Sequence, residues 1–243
     1  GGILASLLGV GKISLLYYAD RLMEFPLGIF GIALATVTLP YLSRQHATES
    51  RGAFAATLDW SMRLVVLISL PAAVGLIVLA EPLVATIFYG GAFTGNDVEL
   101  AGLALQAFSI GLIGFSYVKI LAPAYFARED TRTPVKVGLI ALAVNFALSV
   151  SLAWYLTRIG FAGSHAGLAL AISVAALLNA YLLYRGLRQQ GVARHGKGWT
   201  MLLARTAAAN AVTTAVLIAL QRPLSWWLES GILARVAWLA TVI

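Results

Sequence analysis

Chemistry in this chain can begin at Arg21. It stands with Asp20 and Glu24 inside Ile13–Leu42, a stretch otherwise apolar enough to cross a bilayer. A full charge at that depth costs at least ~2.5–3.5 kcal/mol on insertion scales, so it requires a counter-ion, water or a polar cargo. Two readings are open. Arg21 and Glu24 are three residues apart, on neighbouring turns of a helix, and can form a structural pair. Alternatively, Arg21 faces a wet cavity and holds an anion there. Lys119 is the second cation within a span, four residues before Pro123. That proline leaves the Lys119 carbonyl without its usual amide donor, a defect suited to a cavity wall. The competing reading is a lysine stem that snorkels to the interface. Together Arg21 and Lys119 make an interior that favours phosphate or another anion, because a guanidinium fork donates paired hydrogen bonds.

Nothing comparable suggests catalysis. His46 and His195 fall in predicted cytoplasmic loops and His165 at the outer edge of a span, so none shares a helix with another at metal-ligand spacing. Each reads as an interfacial or loop residue. No H-E-x-x-H, Walker A or G-x-S-x-G pattern occurs. Asp20 and Glu24 are the one carboxylate pair within a span, and Arg21 between them makes a charge-balanced cluster of it. Thr131–Leu228 contains no acid, which excludes an acidic proton relay there and counts against a membrane-embedded hydrolase or transferase. Cysteine is absent, removing thiolate metal sites and cysteine nucleophiles. No catalytic residue, metal site or cofactor is expected.

The elements that must position these residues are membrane helices. Of 243 residues 60% are hydrophobic and only 11% charged, with mean hydropathy +0.87; soluble chains carry roughly 25% charged residues. The apolar residues come in long blocks, which decides for α-helices over a β-barrel. Net charge is +7, but the basic residues cluster at block ends and form no motif for nucleic acid. No cleavable signal peptide is visible, and the chain reads as an internal fragment of a longer protein.

Predicted spans cover about Ile13–Leu42, Leu64–Tyr89, Leu100–Phe126, Val137–Leu156, His165–Tyr184 and Leu202–Leu220, with a seventh from Ile232. Pro26 and Pro40 predict a bend and a stop in the first. Loops Ser43–Arg63, Arg128–Lys136 and Arg185–Arg205 are rich in Lys and Arg, while Gly90–Glu99, Thr157–Ser164 and Gln221–Gly231 are poor in them. The positive-inside rule places the first set in the cytoplasm. Asn145 and Asn179, with Ser149, Ser151 and Ser173, read as helix-to-helix hydrogen-bonding groups. Gly28, Gly31 and the many alanines permit close helix packing.

Two segments carry a family resemblance. Tyr17–Leu34, YYADRLMEFPLGIFGIAL, continuing through Thr38–Ser43, TLPYLS, and then Lys119–Lys136, KILAPAYFAREDTRTPVK, closely resemble the signatures of the MurJ/MviN family of lipid II flippases. The resemblance implies an all-α polytopic membrane helix bundle. It would be the second lobe of a two-lobed exporter fold plus a C-terminal helix pair, with residues 1–190 as lobe core and 191–243 as linker and pair. It implies that Arg21 lines a central cavity with Glu24 as its motif neighbour, and that the last two helices guide a polyprenyl tail. Arg21, Glu24, Asp20 and Lys119 are the expected substrate-binding residues. The sodium site of some members needs an Asn and an Asp on the helix matching Val137–Leu156, which here offers Asn145 and no acid. The expected partners are lipid II and membrane lipids, in a monomer working with a first lobe in the bacterial inner membrane during cell-wall synthesis. The alternatives are an exporter of another polyprenyl-linked saccharide and, further off, a membrane enzyme of lipid-linked sugar metabolism.

Overall fold

The structure, a computed structural model, describes residues 12–48, 50–161, 163–193 and 196–242. Nine helices occur among them. These are α1 Lys12–Ala47, α2 Arg51–Val78, α3 Ala80–Phe88, α4 Gly95–Phe126, α5 Arg132–Arg158, α6 Ala166–Gln189, α7 Trp199–Ala219, α8 Leu224–Glu229 and α9 Ile232–Val242. Five of them (α2, α4, α5, α6 and α7) contain stretches long and apolar enough to cross a membrane. With α1 they make the all-α membrane bundle that composition predicts.

α4 is the axis of this bundle, packed on α1, α2, α3 and α6. Its start is fixed by a capping box: Thr94 Oγ1 accepts from the Asp97 amide and Asp97 Oδ2 accepts from the Thr94 amide. Small residues let α6 approach it. A Cβ on Gly111 would stand 2.7 Å from Ser173, and one on Gly114 would stand 2.7 Å from the Ala176 and Leu177 backbone. Ser173 Oγ donates to the Ala107 carbonyl at 2.6 Å and Tyr125 Oη to the Leu183 carbonyl at 2.9 Å. Without a strong hydrophobic drive between helices in lipid, such close packing and hydrogen bonding hold a bundle together.

The core has two parts. Leu15, Ala19, Met23, Leu76, Val84, Leu105, Phe108 and Trp227 form one, at the end of the bundle where α2 gives way to α3. Leu42, Leu58, Met62, Ile120, Tyr125, Leu183 and Leu187 form the other, at the end where α1 is followed by α2. Between them Ser69 Oγ donates to Ser116 Oγ at 2.8 Å, tying α2 to α4. By contrast α5 packs mainly on α6 and exposes Leu139, Leu142, Phe146 and Trp154, an apolar face suited to lipid.

Several boundaries differ from expectation. α1 runs through both Pro26 and Pro40 to Ala47, so Pro40 does not stop it. A proline removes one hydrogen bond from a helix without ending it where packing holds both sides. Most of the expected loop Ser43–Arg63 is helical, with residues 48 and 50 the described turn between α1 and α2. Arg63, one of the basic residues of that segment, forms an i,i+4 pair with Asp59 on one helix face. The expected span to Tyr89 instead breaks at Leu79 into α2 and α3. His165, expected at an interface, is fully buried, with Nε2 donating to the Leu100 carbonyl at 2.9 Å. Asn145 accepts from Ser149 on its own helix rather than bridging to another. His195 lies outside the described residues.

Candidate functional site

α1 has two faces of different character. Leu15, Ala19 and Met23, four residues apart, are buried in the core where α2 gives way to α3. Tyr17, Arg21, Glu24 and Phe25 are exposed. At 3.6 residues per turn Arg21 stands about 200° round the helix from both Ala19 and Met23. Its side chain therefore points away from the described bundle.

Arg21 is oriented by its own helix. Nη1 donates to Glu24 Oε2 at 2.8 Å, and the guanidinium lies 4.8 Å from the centroid of the Tyr17 ring. The Arg21 and Glu24 side chains stay 56% and 48% exposed. The structural pair of the first reading forms, and it forms on a face that the described bundle leaves open. Asp20 is partly buried beside it. Against bare hydrocarbon, an exposed ion pair at this depth would be costly, so the face requires water, cargo or further protein. Tyr17 belongs to the quoted motif, yet its role as the aromatic rest for Arg21 appears only in three dimensions.

Lys119 is elsewhere. Its stem crosses α1 at Gly31, where a Cβ would stand 2.6 Å from Lys119 Cδ. Gly31 lies ten residues beyond Arg21, or ~15 Å along an α-helix. Lys119 is half-buried, and its methylenes pack across a neighbouring helix where snorkelling would carry them toward its own helix end. Arg21 and Lys119 mark two levels of one helix and do not converge on a single point. Pro123 lies within the last turn of α4, which runs unbroken through Lys119 and Pro123.

Other polar groups were not legible as sites. Arg235 on α9 is 6% exposed, donating to the Ala85 and Leu228 carbonyls at 3.0 and 3.2 Å, with Tyr89 beneath it. It pins α9 to α3 and α8. A cleft of about 420 Å³ lies between α1 and α2, lined by Thr38, Tyr41, Ala56, Thr57 and Trp60. Among the described residues no group of three or more His, Asp or Glu could hold a metal ion.

A family model described as "Lipid II flippase MurJ" matches residues 2–236. The chain belongs to the MurJ family. Among MurJ relatives, the Vibrio cholerae protein named "Probable lipid II flippase MurJ" is 46% identical over 98% of this chain and 44% of its own length. The Haemophilus influenzae protein of the same name is 41% identical over 99% of this chain and 47% of its own. "Lipid II flippase MurJ" of Burkholderia cenocepacia is 41% identical over 86% and 39%. The chain therefore spans about half the length of the curated relatives it matches. A solved structure, "Lipid II flippase MurJ, inward closed conformation", superposes with a TM-score of 0.76 at 23% identity. It covers 98% of this chain and 47% of that one, which establishes the MurJ fold for the bundle.

Proposed function

We propose that the protein containing this chain moves lipid II across the bacterial inner membrane by alternating access, without catalysing a reaction. The observation carrying this reading is Arg21, held by Glu24 and Tyr17 on a face of α1 that the bundle leaves open. On that face the guanidinium attracts the diphosphate of the cargo head group into a solvated cavity. Diphosphate is suited to a planar fork that donates two parallel hydrogen bonds. Glu24 and Asp20 balance the site so that it survives in the membrane while empty. Lys119 of α4, whose stem crosses α1 at Gly31 ~15 Å beyond Arg21, gives the head group a second cationic station on the cytoplasmic side of Arg21.

The chain acts as one lobe, residues 1–190, with residues 191–243 as linker and helix pair. It closes the cavity against the remaining length of a MurJ protein, and one such molecule is the working unit. Rocking between lobes carries the head group past the midplane, while apolar helix faces accept the polyprenyl chain. The test is translocation of lipid II by the full-length protein in proteoliposomes. Transport by the wild type and at least a tenfold loss in Arg21→Ala, with unchanged membrane insertion, is the expected result. Equal rates would remove Arg21 from the cargo path.

A further inference from the structure

One carboxylate near the cytoplasmic end of α2 gathers groups from far along the chain. Asp59 Oδ2 accepts from Arg63 Nε at 2.8 Å, while its Oδ1 accepts from Trp199 Nε1 at 2.6 Å and from the Gly196 amide at 3.2 Å. Arg63 Nη2 reaches the Lys197 carbonyl at 3.0 Å, and its guanidinium lies 5.4 Å from the Trp199 ring centroid. The contact is tight by design: a Cβ on Gly196 would stand 2.9 Å from Asp59 Oδ2 and 3.0 Å from Arg63 Nη2. Gly198 turns the chain with φ 94°, a conformation glycine adopts freely, and α7 begins immediately after it.

α7 needs such an anchor. It packs on α2 and buries Thr206, Asn210 and Leu217, leaving most of its surface open. Both helices run in the same direction, and their other ends are joined by Gln221 Nε2 donating to the Val78 carbonyl at 3.0 Å. The cytoplasmic end carries the stronger tie, since hydrogen bonds to an ionised carboxylate are roughly twice as strong as neutral ones. Trp199 has a second role. With Met62, Gly114, Tyr117, Leu121 and Tyr181 it walls an apolar cavity of about 240 Å³ between α2, α4 and α6.

We propose that Asp59 is a positioning residue: with Arg63 it latches the Gly196–Trp199 turn to α2, so that α7 moves with α2 during transport and Trp199 stays in the wall of the apolar cavity. This rests on the flippase reading above for its consequence in transport, but the latch itself is a property of the fold. Asp59 touches no cargo in this account. It acts by holding the start of α7, and releasing it would let that helix separate from the bundle it flanks.

The test uses the full-length protein in lipid vesicles, with two readouts. Hydrogen exchange is followed in segments 196–206 and 98–112, and lipid II translocation is measured on the same preparations. Asp59→Ala should speed exchange in 196–206 at least tenfold, leave 98–112 unchanged, and cut translocation fivefold or more. Asp59→Glu, which keeps the carboxylate, should recover most of both. Gly196→Ala leaves both charged partners in place while pushing the turn off them, and should reproduce the loss; it also stands in if Asp59→Ala does not fold. Exchange within twofold of wild type in Asp59→Ala and Gly196→Ala would overturn the latch. Faster exchange with normal translocation would leave the latch standing and overturn its role in transport. A wild-type protein that moves no lipid II would count against the flippase reading alone, because the exchange comparison still decides the latch.

Discussion

Arg21 Nη1 and Glu24 Oε2 meet at 2.8 Å on the face of α1 opposite the stripe that Ala19 and Met23 bury. An ion pair this open to solvent contributes little to stability. Its value is in aiming a guanidinium that the Tyr17 ring alone would hold less firmly. Glu24→Gln keeps the side-chain shape but weakens that aim. The expected outcome is a fall in lipid II translocation of about fivefold, with normal amounts of protein in the membrane, read in proteoliposomes against the wild type.

Gly31 and Lys119 should be energetically coupled. An alanine Cβ at position 31 would lie 2.6 Å from Lys119 Cδ, so the flexible stem must move. Gly31→Ala therefore costs more in the presence of Lys119 than beside Lys119→Ala. Thermal unfolding of the four variants should give a coupling of at least ~0.5 kcal/mol. Additive effects would mean that the stem does not lie across α1.

The crossing of α4 and α6 is less forgiving. At Gly114 an added Cβ would strike the Ala176 and Leu177 backbone at 2.7 Å, and backbone cannot swing aside. Gly114→Val should destabilise the bundle by ~1–3 kcal/mol, the usual range for overpacking. Gly28, with open space at its Cβ position, is the control: Gly28→Ala should unfold within about a degree or two of wild type.

The loop before α5 carries a pH signature. Asp130 accepts from the Thr133 hydroxyl at 2.6 Å and the Thr133 amide at 3.0 Å. These bonds hold its carboxyl below the usual range, the hydroxyl contributing most. A depressed carboxylate contributes stability above its unfolded pKa, near 3.9, and loses it as pH falls through the lower folded value. Thr133→Val should therefore cost no more than ~1 kcal/mol at neutral pH, screened as this surface group is. The difference from wild type should shrink below about pH 4 and disappear once both forms are protonated.

Long apolar blocks make the helical membrane bundle legible in the sequence. The motif around Arg21 was readable for the same reason: a charge among apolar residues is conspicuous. The misreadings arose where polar residues serve packing. The basic residues of Ser43–Arg63 suggest a loop, yet Arg63 has its partner Asp59 one turn earlier on the same helix face. His165 and Arg235 are polar residues whose partners are backbone carbonyls far along the chain, at Leu100 and Ala85, and sequence carries no local sign of such partners. The separation of Lys119 from Arg21 follows from where α4 crosses α1, a matter of helix packing that neither segment reveals alone.

The central claim is that the Arg21 guanidinium meets the diphosphate of the cargo. It is tested most directly by photo-crosslinking lipid II to the full-length protein with a probe at Phe25, a neighbour on the same exposed face. The account predicts a crosslink in the wild type that falls at least tenfold in Arg21→Ala and is partly kept in Arg21→Lys, in step with translocation. An undiminished crosslink and unchanged translocation in Arg21→Ala would contradict it.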